Sequence, residues 1–203
     1  IVNVPAFSNR SRYLPDRRDL NRLFPGSPKG SLGGRLAHVL TSELLPLCDA
    51  VVDLHTGALN RANLPQIRVT AGDEESLALA EAFGPSVTLT AGTQAGTIRA
   101  ACNAVGIPVI LYESGEALRL DTPSIRFGKR GVLAVMRHMG MLPKRPAAAK
   151  KRAKHAVVCA KGYWERAQVG GLFIPLIALG KAVRKGDVLG FIADPLGDYE
   201  EEV

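Results

Sequence analysis

The residues best suited to chemistry lie in Asp53-Leu54-His55-Thr56-Gly57, just after Cys48-Asp49-Ala50-Val51-Val52. An apolar run ending in Asp, His and a turn glycine is how a buried strand delivers an imidazole to the rim of a parallel sheet. α/β proteins place their sites there. A neutral imidazole in that position is a natural zinc ligand. Asp53, two residues earlier, points to the same side of the strand and can orient His55 from behind. A lone histidine at a strand end is more commonly a hydrogen-bonded structural residue. The motif therefore draws its weight from two other segments, Asp19-Leu20-Asn21-Arg22 and Tyr112-Glu113-Ser114-Gly115-Glu116.

Positive charge comes in two clusters of different character. The 203-residue chain carries a net charge of +7. One cluster, Lys144-Arg145 and Lys150-Lys151-Arg152-Ala153-Lys154 around Pro146-Ala147-Ala148-Ala149, reads as a solvated linker. No aromatic residue interleaves it and no nucleic-acid motif accompanies it, so a nucleic-acid partner is not expected. The other cluster is Arg10, Arg12, Arg17, Arg18 and Arg22, all arginine and beside the site segments. It suits a small anionic substrate, because the guanidinium fork matches a carboxylate.

The elements that must position these residues follow an α/β rhythm. Strands are expected at 1–6, 50–54, 66–70, 87–90 and 109–112, the last delivering Glu113. Helices are expected at 34–45, 74–83, 95–105 and 125–139, the last with interruptions at Gly128 and Gly131 and an end signal at Gly140. An Arg-rich loop connects the first strand to about Ser31. Such alternation predicts an α/β fold, with a mostly parallel mixed sheet covered by helices on both faces, over residues 1–142. A basic linker follows at 143–155. From Ala156 short β-prone stretches alternate with Gly-rich turns, so residues 156–203 are expected to form a small all-β, sandwich-like module.

The remaining composition sets bounds. The longest apolar runs are short and contain Pro or Gly, so no membrane span is expected. Cys48, Cys102 and Cys159 lie far apart with no CxxC pair, which points to reduced thiols in the cytoplasm. Ile1-Val2-Asn3-Val4-Pro5 reads as a strand already under way, and Asp194-Pro195-Leu196-Gly197-Asp198 as a turn near the other end. A piece of a longer protein is the expectation.

Taken in order, Asp19-Leu20-Asn21-Arg22-Leu23-Phe24-Pro25-Gly26, Asp53-Leu54-His55-Thr56-Gly57 and Tyr112-Glu113-Ser114-Gly115-Glu116 resemble the succinylglutamate desuccinylase/aspartoacylase family of zinc carboxypeptidase-like hydrolases. The first block is quite specific, the second moderately so, and the third weak alone. The segment from Gly170-Gly171-Leu172-Phe173 to Lys185-Gly186-Asp187-Val188-Leu189-Gly190 also looks like the small β domain that ends many members.

The resemblance implies hydrolysis of the amide bond of an N-acyl amino acid, with one Zn2+ as cofactor. It maps the later zinc-binding His of the family onto His55, with Asp53 behind it. The family's early His and Glu ligands map before residue 1. His38, His138 and His155 lack the matching context. The general base maps onto Glu113, and Glu116 reads as a loop residue. The residues that hold the substrate carboxylate map onto Asn21 and Arg22. Arg12 matches a further family arginine, across a loop with extra residues at Pro15-Asp16-Arg17-Arg18. Asp19 is expected to order this loop. Tyr112 and Arg99 are candidates to line the pocket, but packing in the core for Tyr112 and a solvated helix face for Arg99 are the stronger readings. A small-molecule substrate is the expected partner, with a homo-oligomer left open. The alternatives are an inactive fragment of the hydrolase, or a binding or biotinyl/lipoyl-like carrier module. A carrier would need a modifiable Lys at a hairpin tip, usually beside Met; Lys181 follows Gly180 and has no Met neighbour.

Overall fold

Alternation along one strand decides the layering. In the strand Asn63–Thr70 (β2), Ile67 and Val69 are fully buried on one face, while Gln66, Arg68 and Thr70 belong to the other. A computed structural model describes residues 1–144, 156–197 and 200–203 of the chain. Around β2 it arranges Val51–Gly57 (β1), Val87–Ala91 (β3), Val109–Glu116 (β4) and Val157–Cys159 (β5) in the order β1-β4-β2-β3-β5. β1 and β4, β2 and β3, and β3 and β5 pair in parallel; only β2 and β4 run antiparallel. This is the mostly parallel mixed sheet that the α/β rhythm predicts.

Each face carries its own core. On one, Ile67, Val69, Ile110 and Tyr112 pack against Leu79, Ala80 and Phe83 of the helix Glu74–Phe83 (α3) and Val135 of the helix Thr122–His138 (α5). The Phe83 and Tyr112 rings lie 5.1 Å apart, and those of Tyr112 and Phe127 5.9 Å apart. On the other, Val109 meets Ala37 of the helix Leu32–Val39 (α2), Leu45, and Ala101 and Cys102 of the helix Ile98–Ala104 (α4). Burial of both faces is the main stabilising contribution in such a fold.

Three local expectations are corrected. Residues 1–6 are not a strand: Val4–Ser8 is a short helix (α1), because Asn3 Oδ1 accepts the Ala6 N–H at 3.2 Å and Pro5 suits a first helical turn. The helix over 125–139 is not interrupted. Gly128 and Gly131 instead allow close approach, since a Cβ at Gly131 would strike the Phe83 ring and one at Gly128 would stand 3.0 Å from Tyr112. The third concerns Val157–Cys159, which extends the large sheet by pairing with β3 and does not open the small module.

The chain divides into two compact units, Ile1–Lys161 and Gly162–Val203. In the second, Leu172–Pro175 (β6), Gly190–Ala193 (β7) and Glu200–Glu202 (β8) form an antiparallel sheet in the order β6-β7-β8. Lys181 lies in the long 176–189 connection between β6 and β7, where its N–H donates to Ala178 O at 3.2 Å. The basic run from residue 145 to 155, and His155 with it, lie outside the described residues. Among the described residues no helix is long and apolar enough to cross a membrane.

Candidate active site

Parallel pairing of β1 with β4 makes His55 and Glu113 register partners, with Asp53 opposite Leu111. Partners in register share a face. Asp53, His55 and Glu113 therefore lie on the sheet face that α2 and α4 cover, because Val51 and Val109 on that same alternation pack there. Asp53 Oδ2 stands 2.8 Å from His55 Nε2. That hydrogen bond leaves Nδ1 as the ring nitrogen open to another partner. Burial alone would lower the His55 pKa. The hydrogen bond and charge of Asp53, with the charge of Glu113, outweigh it, and the pKa is raised despite opposition from Arg12.

The loop before α2 carries the other expected residues. Asp19 Oδ1 accepts the Asn21 N–H at 3.0 Å, while its Oδ2 takes Nε and Nη2 of Arg12 at 2.9 and 2.8 Å. Asp19 thus orders the loop and Arg12 together. Asn21 Oδ1 accepts the backbone N–H of Ile98, at the start of α4, at 2.9 Å, so its amide nitrogen is left as a donor. Arg22 is exposed and donates from Nη1 to Asn21 O at 2.6 Å. The loop docks closely: Phe24 N–H reaches Gly96 O at 3.0 Å. Gly26 adopts φ +85°, and a Cβ there would strike the backbone of Gly34 and His38, so the last residue of the Asp19–Gly26 block has to be glycine. Glu116 Oε1 accepts the Asn60 N–H at 3.2 Å, as a loop residue would. Tyr112 faces the opposite core and donates to Ser124 O at 3.0 Å.

Two arginines add to the site. Arg68 Nη2 forms an ion pair with Glu113 Oε2 at 2.9 Å. Arg99, read from sequence as lying on a solvated helix face, is half-buried at the start of α4. Burial lowers its pKa, the charge of Arg68 adds to that, and the charge of Asp53 opposes it. Arg68 Nε and Arg99 Nη1 are both buried without an acceptor among the described residues. Orphaned guanidinium N–H groups suit an anion. A signal for Arg68 exists in the sequence: Gln66, Arg68 and Thr70 alternate with Ile67 and Val69, which puts a polar face in the interior of a sheet expected to be covered on both sides.

Residues 1–139 match the family profile described as Succinylglutamate desuccinylase/Aspartoacylase catalytic domain. The chain belongs to the succinylglutamate desuccinylase/aspartoacylase family. A curated relative, the N-alpha-acetyl-L-2,4-diaminobutyric acid deacetylase of Halomonas elongata, is 26% identical over 96% of this chain and 59% of its own length. Among solved structures, a succinylglutamate desuccinylase/aspartoacylase from Rhodobacter sphaeroides is 31% identical with a TM-score of 0.86, covering 99% of this chain and 64% of that one. The product-bound Ectoine utilization protein EutE (DoeB) from Ruegeria pomeroyi is 27% identical, again with a TM-score of 0.86 and the same coverages. The chain therefore spans about three fifths of the length of these family members.

A zinc ion was expected from the family resemblance. The donor chemistry of His55 suits one ligand position, with Nδ1 open and Nε2 held by Asp53. A catalytic zinc needs about three protein ligands. Among the described residues no group of three His, Cys, Asp or Glu side chains stands together to complete such a site.

Proposed function

We propose that this chain carries the substrate-binding and proton-transfer portion of a zinc-dependent hydrolase that cleaves the amide bond of an N-acyl amino acid. The observation that supports this most is the pairing of His55 with Glu113 in register on adjacent strands, with Asp53 behind the imidazole. His55 Nδ1 would supply one zinc ligand, and the other two would come from residues upstream of Ile1. When bound, zinc lowers the pKa of a coordinated water and polarises the scissile carbonyl.

The chain's own residues do the rest. The Glu113 carboxylate takes a proton from the attacking water and delivers it to the leaving amine nitrogen. Asn21 and Arg22 hold the amino-acid carboxylate through an amide donor and a guanidinium fork. Arg12, fixed by Asp19, brings a further cation to the same loop. The orphaned N–H groups of Arg68 and Arg99 favour an anionic substrate over a neutral one. This function resides in the α/β unit, and a small β module follows it. Three free cysteines fit a cytoplasmic setting.

The test is hydrolysis of N-acetyl and N-succinyl amino acids by the protein with its complete zinc site. We expect turnover that a chelator abolishes and zinc restores, and loss of rate when the substrate carboxylate is converted to an amide. Turnover that is indifferent to chelation, or absence of turnover with stoichiometric zinc bound, would overturn the proposal.

A further inference from the structure

We infer that Arg68 is a positioning residue for Glu113, holding one carboxylate oxygen so that the other is presented for proton transfer. The inference rests on the reading of Glu113 as the general base. Arg68 sits on β2, a strand flanked on both sides by other strands, and Arg68 and Leu111 are antiparallel register partners. From there its guanidinium reaches diagonally to Glu113, whose own register partner on β2 is Gln66. Nη2 lies 2.9 Å from Oε2, so the ion pair engages that one oxygen. The Glu113 side chain is 17% exposed and that of Arg68 42%, so solvent reaches the contact mainly from the Arg68 side.

The placement argues against a chance surface pair. Arg68 belongs to the polar face of a strand whose other face, Ile67 and Val69, is fully buried. The Arg68 side chain is half-buried, with Nε wholly buried, and Glu113 is the carboxylate its guanidinium meets. Arg68 also stands near enough to Arg99 for their charges to oppose one another. A carboxylate with one oxygen tied loses the freedom to rotate away from the water it must deprotonate. Small misplacements of a catalytic group reduce rate steeply. In each turnover Oε1 receives the water proton and releases it to the amine nitrogen, while Oε2 stays with Arg68.

The experiment compares wild type, Arg68→Gln, Arg68→Lys, Glu113→Gln and the double variant Arg68→Gln/Glu113→Gln in the protein with its complete zinc site. For Arg68→Gln we expect kcat to fall about ten- to hundredfold with KM nearly unchanged and zinc content intact. Added guanidinium ion should recover part of the rate, and Arg68→Lys should lie between wild type and Arg68→Gln. In the Glu113→Gln background the Arg68 substitution should add no further loss. A second readout needs no metal: in the chelated protein, denaturant midpoints of the same set should be non-additive, as for residues in contact.

Unchanged kcat in Arg68→Gln, a loss confined to KM, or rate losses that multiply in the double variant would overturn the inference. So would additive stabilities in the metal-free set. A wild type that binds zinc but hydrolyses nothing would remove the base reading itself. Non-additive stabilities in that case would make the Arg68–Glu113 pair structural.

Discussion

Asp53 Oδ2 lies 2.8 Å from His55 Nε2, two residues further along the same strand. The contact fixes which ring nitrogen is engaged and which is left open, and it raises the His55 pKa against the opposing effect of burial. A proton held more tightly by the folded chain stabilises it below the ordinary histidine value. That stability is lost as pH rises through the folded value.

Replacing Asp53 by Asn should therefore lower the His55 pKa in metal-free protein, read from the ring resonances by NMR. The variant should also lose stability relative to wild type in the acid range and little at alkaline pH. With the zinc site complete, the same change should weaken zinc binding about ten- to hundredfold, the usual cost of losing such a partner. In wild type, zinc affinity should fall as pH drops through the raised His55 value. A His55 titration unaffected by Asp53→Asn would contradict this.

Arg22→Lys keeps the charge of the loop but removes the planar fork. For N-acyl amino acids we expect higher KM and a drop in kcat/KM of about ten- to hundredfold, the scale of a lost charge-assisted hydrogen bond. Converting the substrate carboxylate to an amide should penalise wild type by a similar factor and the variant much less. Equal penalties in both would return Arg22 to an ordering role, such as its 2.6 Å contact with Asn21 O.

Burial pushes the Cys102 thiol up to about 11, with the charge of Asp53 adding to it. Cys102 is fully buried, whereas Cys48 and Cys159 are half-buried. At mildly alkaline pH an alkylating agent should label Cys48 and Cys159 well before Cys102, because the thiolate is the reactive form. Peptide mapping by mass spectrometry reads this directly. Early labelling of Cys102 in folded protein would contradict the packing of α4 on the sheet.

Elements with complete local signals were legible from the sequence. The helix Glu74–Phe83 coincides with its expected bounds, since Asp73 caps Ser76 N–H at 2.9 Å and Gly84 ends it at φ +78°. The Asp53–His55 contact was legible too, because the period of a strand places both on one side. Ile1–Ala6 misled because an apolar run resembles a strand until the Asn3 cap and Pro5 are weighed. β5 misled because three residues pair with a strand some seventy positions away, which composition does not record. Arg68 went unread for the same reason: its contact with Glu113 depends on an antiparallel pairing, and only the register of β2 on β4 brings the two together.

The most direct test is Glu113→Gln in the protein with its complete zinc site. The neutral amide cannot accept the water proton, so we expect full zinc content and an intact fold with hydrolysis reduced on the order of a hundredfold or more. Near-normal turnover by Glu113→Gln would contradict the assignment of Glu113 as the base.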